Sequence, residues 1–255
     1  MKIFAKFRKS SVVLLSVAVA VAMLAAVIGA LFYFGILHIN NPLSEGYSVI
    51  GVDVSAYQGE IDWQTLSAQD ISFAFIKATE GSSFVDSHFQ DNFAQAQKTD
   101  LRIGAYHFFS FESSGKAQAE HFCATVPKVS GALPPVVDLE YYGEFGASNT
   151  DSEKIRAELR DFVDAVRDYY GASPIIYVTN SSYKNIIAEG FSDCTFWVRS
   201  VYGKPQGKPD WSFWQYSNRH VLKGYNGKER YIDMNVFCGS KAEFEEFGLG
   251  AADKQ

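Results

Sequence analysis

The chain has 255 residues, 47% of them hydrophobic and 20% charged, a globular composition with length enough for one large domain or two small ones. Its net charge of −6 argues against a nucleic-acid partner, because proteins that neutralise phosphates are basic. Cys123, Cys194 and Cys238 form no C-x-x-C, and no His stands at ligand spacing from them, so neither a metal site nor a cofactor is expected.

Residues 1–11 carry Lys2, Lys6, Arg8 and Lys9 and no acid, and from Val12 to Leu37 there is no charge at all. That apolar run exceeds the ~7–15 residues of a cleavable leader's core and is long enough to cross a bilayer of ~30 Å. The segment 12–39 therefore reads as an uncleaved signal anchor, with the basic end cytoplasmic and everything after Asn40 outside. Cleavage near Ala18, Ala20 or Ala22 is the alternative and would release a secreted protein. Residues 40–47 read as a short linker, 48–247 as the folded domain and 248–255 as a tail.

Beyond the linker, apolar runs of strand type recur at 49–54, 73–79, 103–109, 134–140, 174–179 and 195–199. They are nearly continuous rather than alternating, as strands covered on both faces are. Helical stretches lie between them. Over 86–99, Phe89, Phe93 and Ala96 share a stripe; over 151–170, Ile155, Leu159, Phe162, Val166 and Tyr169 do. Thr150 and Glu153 have capping-box spacing at the start of the second, and Gly171 is placed to stop it. Strand–helix alternation repeated in one domain predicts a TIM-like β/α barrel rather than an open sheet. After Arg199 only short loops separate 212–216 and 231–237, which leaves the directions of the last strands open.

The informative stretch is Pro134-Pro135-Val136-Val137-Asp138-Leu139-Glu140. Asp138 and Glu140 are two positions apart on a strand, so both side chains point to one face, roughly 6–7 Å apart. Carboxyls held that close cannot both ionise freely, and a carboxyl that keeps its proton is what acid catalysis on a glycosidic oxygen requires. A short D-x-E is common, and helix capping or a salt bridge would explain it alone. In a barrel, however, the carboxyl ends of the strands form one mouth. Asp53 stands near the end of the first strand, and Tyr106 and Tyr177 late in the third and fifth. Acids and aromatic rings then converge on one cleft suited to a neutral or amino-sugar polymer. Trp214 is a further candidate sugar platform, and Trp63 and Trp197 read as core. Lys77 and Glu80 read as a supporting ion pair. His107 falls out of alternation with Tyr106 and should pack toward the helices.

Six segments, in order, resemble glycoside hydrolase family 25 lysozymes: Gly51-Val52-Asp53-Val54-Ser55-Ala56-Tyr57-Gln58-Gly59, Lys77-Ala78-Thr79-Glu80-Gly81, Gly104-Ala105-Tyr106-His107-Phe108, Val137-Asp138-Leu139-Glu140, Phe213-Trp214-Gln215-Tyr216 and Ile232-Asp233-Met234-Asn235. The resemblance implies a modified barrel of about five helices and eight strands, and an N-acetylmuramidase acting on peptidoglycan glycan strands as a monomer. It implies Glu140 as proton donor and Asp138 as nucleophile or orienter of the substrate's 2-acetamido group, with Asp53 and Asp233 also in the cleft. A non-catalytic peptidoglycan-binding module and a chitinase-like hydrolase are the competing readings.

Overall fold

A computed structural model describes residues 2–187, 190–206 and 211–249, and the side chains of these from residue 12 onward. The chain forms two units, one ending at His38 and one beginning at Ile39. In the first, helix α1 (Lys2–Tyr33) contains 22 residues, Val12–Tyr33, apolar enough to cross a membrane. At 1.5 Å per residue they span about 33 Å. The helix stops short of the expected 39: Gly35 takes the left-handed conformation (φ 67), and the amide of Ile36 donates to the carbonyl of Leu31. The side chains of the basic segment and the tail from residue 250 lie outside the described residues.

In the second unit, eight strands close into a barrel: β1 (Val49–Val54), β2 (Phe73–Glu80), β4 (Arg102–Phe108), β5 (Val136–Leu139), β6 (Ile175–Thr179), β7 (Thr195–Arg199), β8 (Trp211–His220) and β9 (Ile232–Phe237). A two-residue strand, β3 (Phe84–Val85), pairs outside the ring on the end of β2. Neighbouring strands are parallel from β1 through β8, and β1 pairs with β2. The antiparallel β9 sits between β8 and β1 and completes the ring. This settles the directions of the last strands. Among the described residues six helices accompany the barrel: α2 (Trp63–Ser67), α3 (Phe89–Ala96), α4 (Gly115–Thr125), α5 (Ser152–Tyr170), α6 (Asn180–Ser182) and α7 (Lys241–Glu246).

Period-two alternation divides the apolar residues into two layers. Outward residues such as Val52, Ile76, Val137, Ile176 and Val198 pack against Phe89, Phe93, Phe122, Leu159 and Phe162 of the helices. Inward residues Val49, Phe73, Phe75, Val136, Ile175, Phe213 and Phe237 fill the lower lumen, and Phe244 of α7 covers its base. Gly51 and Gly104 also face inward, and each is small for a reason. A Cβ on Gly51 would stand 2.4 Å from the Phe73 ring, and one on Gly104 2.7 Å from the ring of Phe75.

Local details differ from the sequence reading. The N-cap of α5 is Asp151, whose carboxylate accepts from the Lys154 amide, while Thr150 Oγ1 is buried without a partner among the described residues. An ionised cap next to four free N–H groups outcompetes a hydroxyl. Tyr169 is exposed, and Tyr170 takes the inner position and donates to the Val126 carbonyl at 2.7 Å. Helix α3 begins only at Phe89, because the buried Asp86 carboxylate is engaged by the amides of Ala56 and His88. The segment read as a linker is docked: Asn40 is buried and donates to the carbonyls of Tyr216 (2.7 Å) and Ser200 (3.1 Å). All three cysteines are free.

Candidate active site

At the carboxyl ends of the parallel strands the inward positions change character. Continuing each inward row upward gives Asp53 on β1, Lys77 on β2, Tyr106 on β4, Asp138 on β5 with Glu140 just past its end, Tyr177 on β6, Arg199 on β7 and Gln215 on β8. Asp233 comes from the start of the reversed strand β9. All line one open cleft of about 550 Å³. Six of the seven residues expected at the site are therefore together: Asp53, Tyr106, Asp138, Glu140, Tyr177 and Asp233.

Trp214 is the exception. The alternation that points Phe213 and Gln215 into the barrel points Trp214 out of it. There it is fully buried against Tyr47, Trp211 and Tyr216, and its Nε1 donates to the Ser200 carbonyl at 2.9 Å. A ring with no exposed face cannot stack on a sugar, so Trp214 is a packing residue.

Two amides that the sequence reading did not assign organise the acids. Trp197 Nε1 can only donate, and it donates to Asn235 Oδ1 at 2.8 Å, which turns Asn235 Nδ2 onto Asp53 Oδ2 at 2.8 Å. The Tyr177 hydroxyl likewise donates to Gln215 Oε1 at 3.0 Å. Gln215 Nε2 is thereby aimed at Asp53 Oδ2 (2.9 Å) and Asp233 Oδ2 (3.2 Å). Asp53 and Asp233 face each other directly in the β1–β9 pairing. Burial raises the proton affinity of both. For Asp53 the Asn235 and Gln215 donors pull the other way, whereas the Asp53 charge pushes Asp233 further up. Of the two, Asp233 holds its proton the more tightly.

The second pair is Asp138 and Glu140. Burial, and then the Glu140 charge, hold Asp138 well above the usual carboxylate range, and its Oδ1 is buried with no hydrogen-bond partner among the described residues. Burial raises Glu140 as well, opposed chiefly by the Arg199 guanidinium. This pair too retains a proton where an isolated carboxyl would have lost it. The cleft thus holds two pairs of carboxyls whose proton affinities are all raised.

The remaining candidates fall as follows. Lys77 Nζ is 2.7 Å from Glu80 and lies over the Phe108 ring at 5.1 Å, an ion pair at the rim of the cleft. His107 faces the helices, stacked on Phe162 with ring centroids 4.9 Å apart. Gln118 Nε2 is occupied by the carbonyls of Ser110 and Ser113, so Gln118 Oε1 must accept from His107 Nε2, and His107 Nδ1 accepts from Thr79. Burial lowers this imidazole to about 3, and it stays neutral. Trp63 is core; Trp197 is both core and cleft wall. Arg199 was missed outright, although alternation from Trp197 would have put it at the mouth.

Residues 52–225 match the family described as Glycosyl hydrolases family 25. "Lysozyme M1" of Streptomyces globisporus is 34% identical over 209 residues, covering 76% of this chain and 69% of its own. "Uncharacterized protein YegX" of Escherichia coli is 36% identical over 211 residues, covering 79% and 74%. Among solved structures, a family 25 glycosyl hydrolase from Bacillus anthracis superposes with a TM-score of 0.76 at 48% identity, covering 80% of this chain and 95% of that one. The family match and the fold agree, and the chain belongs to glycosyl hydrolase family 25.

Proposed function

We infer that the protein is a peptidoglycan hydrolase, a muramidase that cuts the β-1,4 bond between N-acetylmuramic acid and N-acetylglucosamine. The observation that carries this reading is the gathering of Asp53, Asp138, Glu140 and Asp233 in one open cleft. A protein that only bound glycan would have no use for proton-bearing acids of raised affinity. The relationship to a lysozyme supports it independently.

In this reading the Glu140 carboxyl gives its proton to O4 of the leaving N-acetylglucosamine as the C1–O4 bond breaks. The carbonyl oxygen of the muramic residue's 2-acetamido group closes onto C1 and neutralises the charge developing there. The Asp138 side chain, which lines the cleft, takes a hydrogen bond from the acetamido N–H and aligns it. Water then adds to C1 as the bond between C1 and the acetamido oxygen breaks, the Glu140 carboxylate takes the water's proton, and the acetamido group and Glu140 return to their starting states. Asp53 and Asp233, linked through Gln215 and with Asn235 on Asp53, line the cleft beside C1 without reacting.

The test is digestion of purified peptidoglycan, followed by reduction of the new ends with borohydride. The reading expects reduced muramic acid as the new end and loss of clearing in a zymogram for Glu140→Gln. Reduced glucosamine ends, or an undiminished Glu140→Gln, overturn it. The apolar Val12–Tyr33 helix supports a membrane anchor with residues 1–11 in the cytoplasm and the barrel outside. Carbonate-resistant membrane association and an intact N-terminus by mass measurement check that arrangement. A soluble protein lacking residues 1–30 contradicts it.

A further inference from the structure

Among the described residues three cations line the cleft, and two of them are occupied. Lys77 is paired with Glu80. Arg219 lies over the Tyr231 ring at 4.8 Å and donates to the Tyr231 hydroxyl at 3.2 Å. Arg199 differs from both. It is half-buried, directed inward at the end of β7, beside Thr179 on one side and Gln215 on the other. Gln215 is committed to Asp53, Asp233 and Tyr177. Among the described residues the Arg199 guanidinium forms no hydrogen bond and no ion pair within 4.0 Å, although acids surround it.

A guanidinium carries five N–H donors in a planar fork that fits a carboxylate. The Arg199 stem is held in the cleft wall while its fork, tied to no protein acceptor among the described residues, opens on the cleft, where a ligand's carboxylate can take it. The chain of N-acetylglucosamine units in chitin has no carboxylate. The muramic acid unit does, on the substituent at its O3: either its own lactyl carboxylate or, where that is amidated, a carboxylate of the attached peptide.

We propose that Arg199 is the specificity residue of the cleft, receiving a carboxylate carried on the muramic-acid substituent and so separating peptidoglycan from uncharged chitin-like glycans. The proposal rests on the muramidase reading above. Because the guanidinium stands at the end of β7, with only β6 between it and β5, which carries Asp138 and leads into Glu140, the contact falls beside the reacting groups and orients the sugar whose C1 is attacked. It works by positioning, and no bond is made or broken at Arg199.

The experiment is a cycle of two changes, one in the full-length enzyme and one in the glycan. Wild type and Arg199→Gln are compared on peptidoglycan strands and on the same strands with their carboxylates methyl-esterified, once with peptides attached and once after their removal. Wild type should lose about tenfold or more in kcat/KM on esterification, mainly through KM, whereas Arg199→Gln should cut both forms at one reduced rate. Arg199→Lys should recover part of the preference for the charged form. Any general disturbance of the cleft lowers both arms equally and cancels in the ratio. Coupling confined to peptide-free strands assigns the lactyl carboxylate; coupling confined to peptide-bearing strands assigns a peptide carboxylate. Equal losses for wild type and Arg199→Gln on esterification in both arms overturn the proposal and leave the muramidase reading intact. A wild type inert on every strand overturns both.

Discussion

The lower and upper halves of the barrel lumen are built from the same inward rows of the same strands, and they do opposite things. Below, Phe73, Phe75, Ile175, Phe213 and Phe237 exclude water and leave nothing unsatisfied. Above, two or four residues further along, the rows end in Asp53, Lys77, Asp138, Glu140, Arg199 and Gln215, with like charges crowded and a buried oxygen unpartnered among the described residues. The difference shows where stability and chemistry part. The plug contributes burial at roughly 25 cal/mol per Å² of apolar surface. It also forms the dry floor against which carboxyls lose solvation and hold protons. The mouth costs stability and supplies reactivity.

Four substitutions break or sharpen that contrast. The largest effect is expected for Glu140→Gln, which keeps the shape and removes the transferable proton. Its kcat should fall about 10³-fold, within the range of a general acid, while Tm stays level or rises because one crowded charge is gone. Release of reducing ends, alongside thermal melts, reads both. A matching loss of Tm would mean that Glu140 is a structural acid.

Asp138→Asn comes next, with an expected loss of about 10² in kcat, since the amide keeps one acceptor oxygen but not the charge. Its pH signature is distinctive. The folded-state affinity of Asp138 is raised, so between an unfolded value of about 3.9 and the higher folded one the native state binds more protons than the unfolded chain. Wild-type stability therefore falls as pH rises through that window, and the variant should show a shallower fall. Chemical denaturation at several pH values between 4 and 8 measures it; a steeper slope in the variant contradicts the assignment.

Gly51→Ala attacks the plug instead. The added methyl would meet Phe73 ring carbons at 2.4 Å, and overpacking of this kind costs about 1–3 kcal/mol. Tm should drop by ~2–4 °C per kcal/mol while kcat of the folded fraction holds. Loss of turnover without loss of Tm would show the two halves to be less separable than the architecture implies.

Much of this contrast was legible before the structure. Strand positions follow from apolar runs between helical stretches; spacing puts Asp138 and Glu140 on one face, and the barrel mouth and the ordered motifs make that pair informative. Alternation could also have delivered Arg199 from Trp197, and it would have turned Trp214 outward, since Gln215 and Trp214 cannot share a face. What no local pattern carries is the pairing of Asp53 with Asp233. That depends on a reversed last strand lying between β8 and β1, a long-range arrangement. The amide orientations of Gln215 and Asn235 are hidden for the same reason, because each is fixed by a donor on another strand. At the start of α5, Thr150 and Asp151 both satisfy capping chemistry by sequence. Only the geometry of the turn selects the carboxylate.

Trp197 sits on the seam between the halves, and its substitution should have the smallest and most mixed effect. Its ring stacks on Phe75 at 4.7 Å within the plug, while its Nε1 holds Asn235 Oδ1, and through Asn235 the Asp53 carboxylate. Trp197→Phe retains an aromatic face below and deletes the donor above. Loss of one hydrogen bond costs about 1 kcal/mol, so Tm should fall by only a few degrees. Freed of the indole, the Asn235 amide is no longer obliged to present Nδ2 to Asp53, whose proton affinity then rises with one stabilising donor weakened. Activity should decline several-fold, and the acid limb of its pH profile should move upward. Trp197→Ala would open the floor and confound the two effects, so the phenylalanine is the informative change. A fall in Tm with an unmoved pH profile would place the Asp53 charge under the control of Gln215 alone, and would make the plug a support for the mouth rather than a part of its electrostatics.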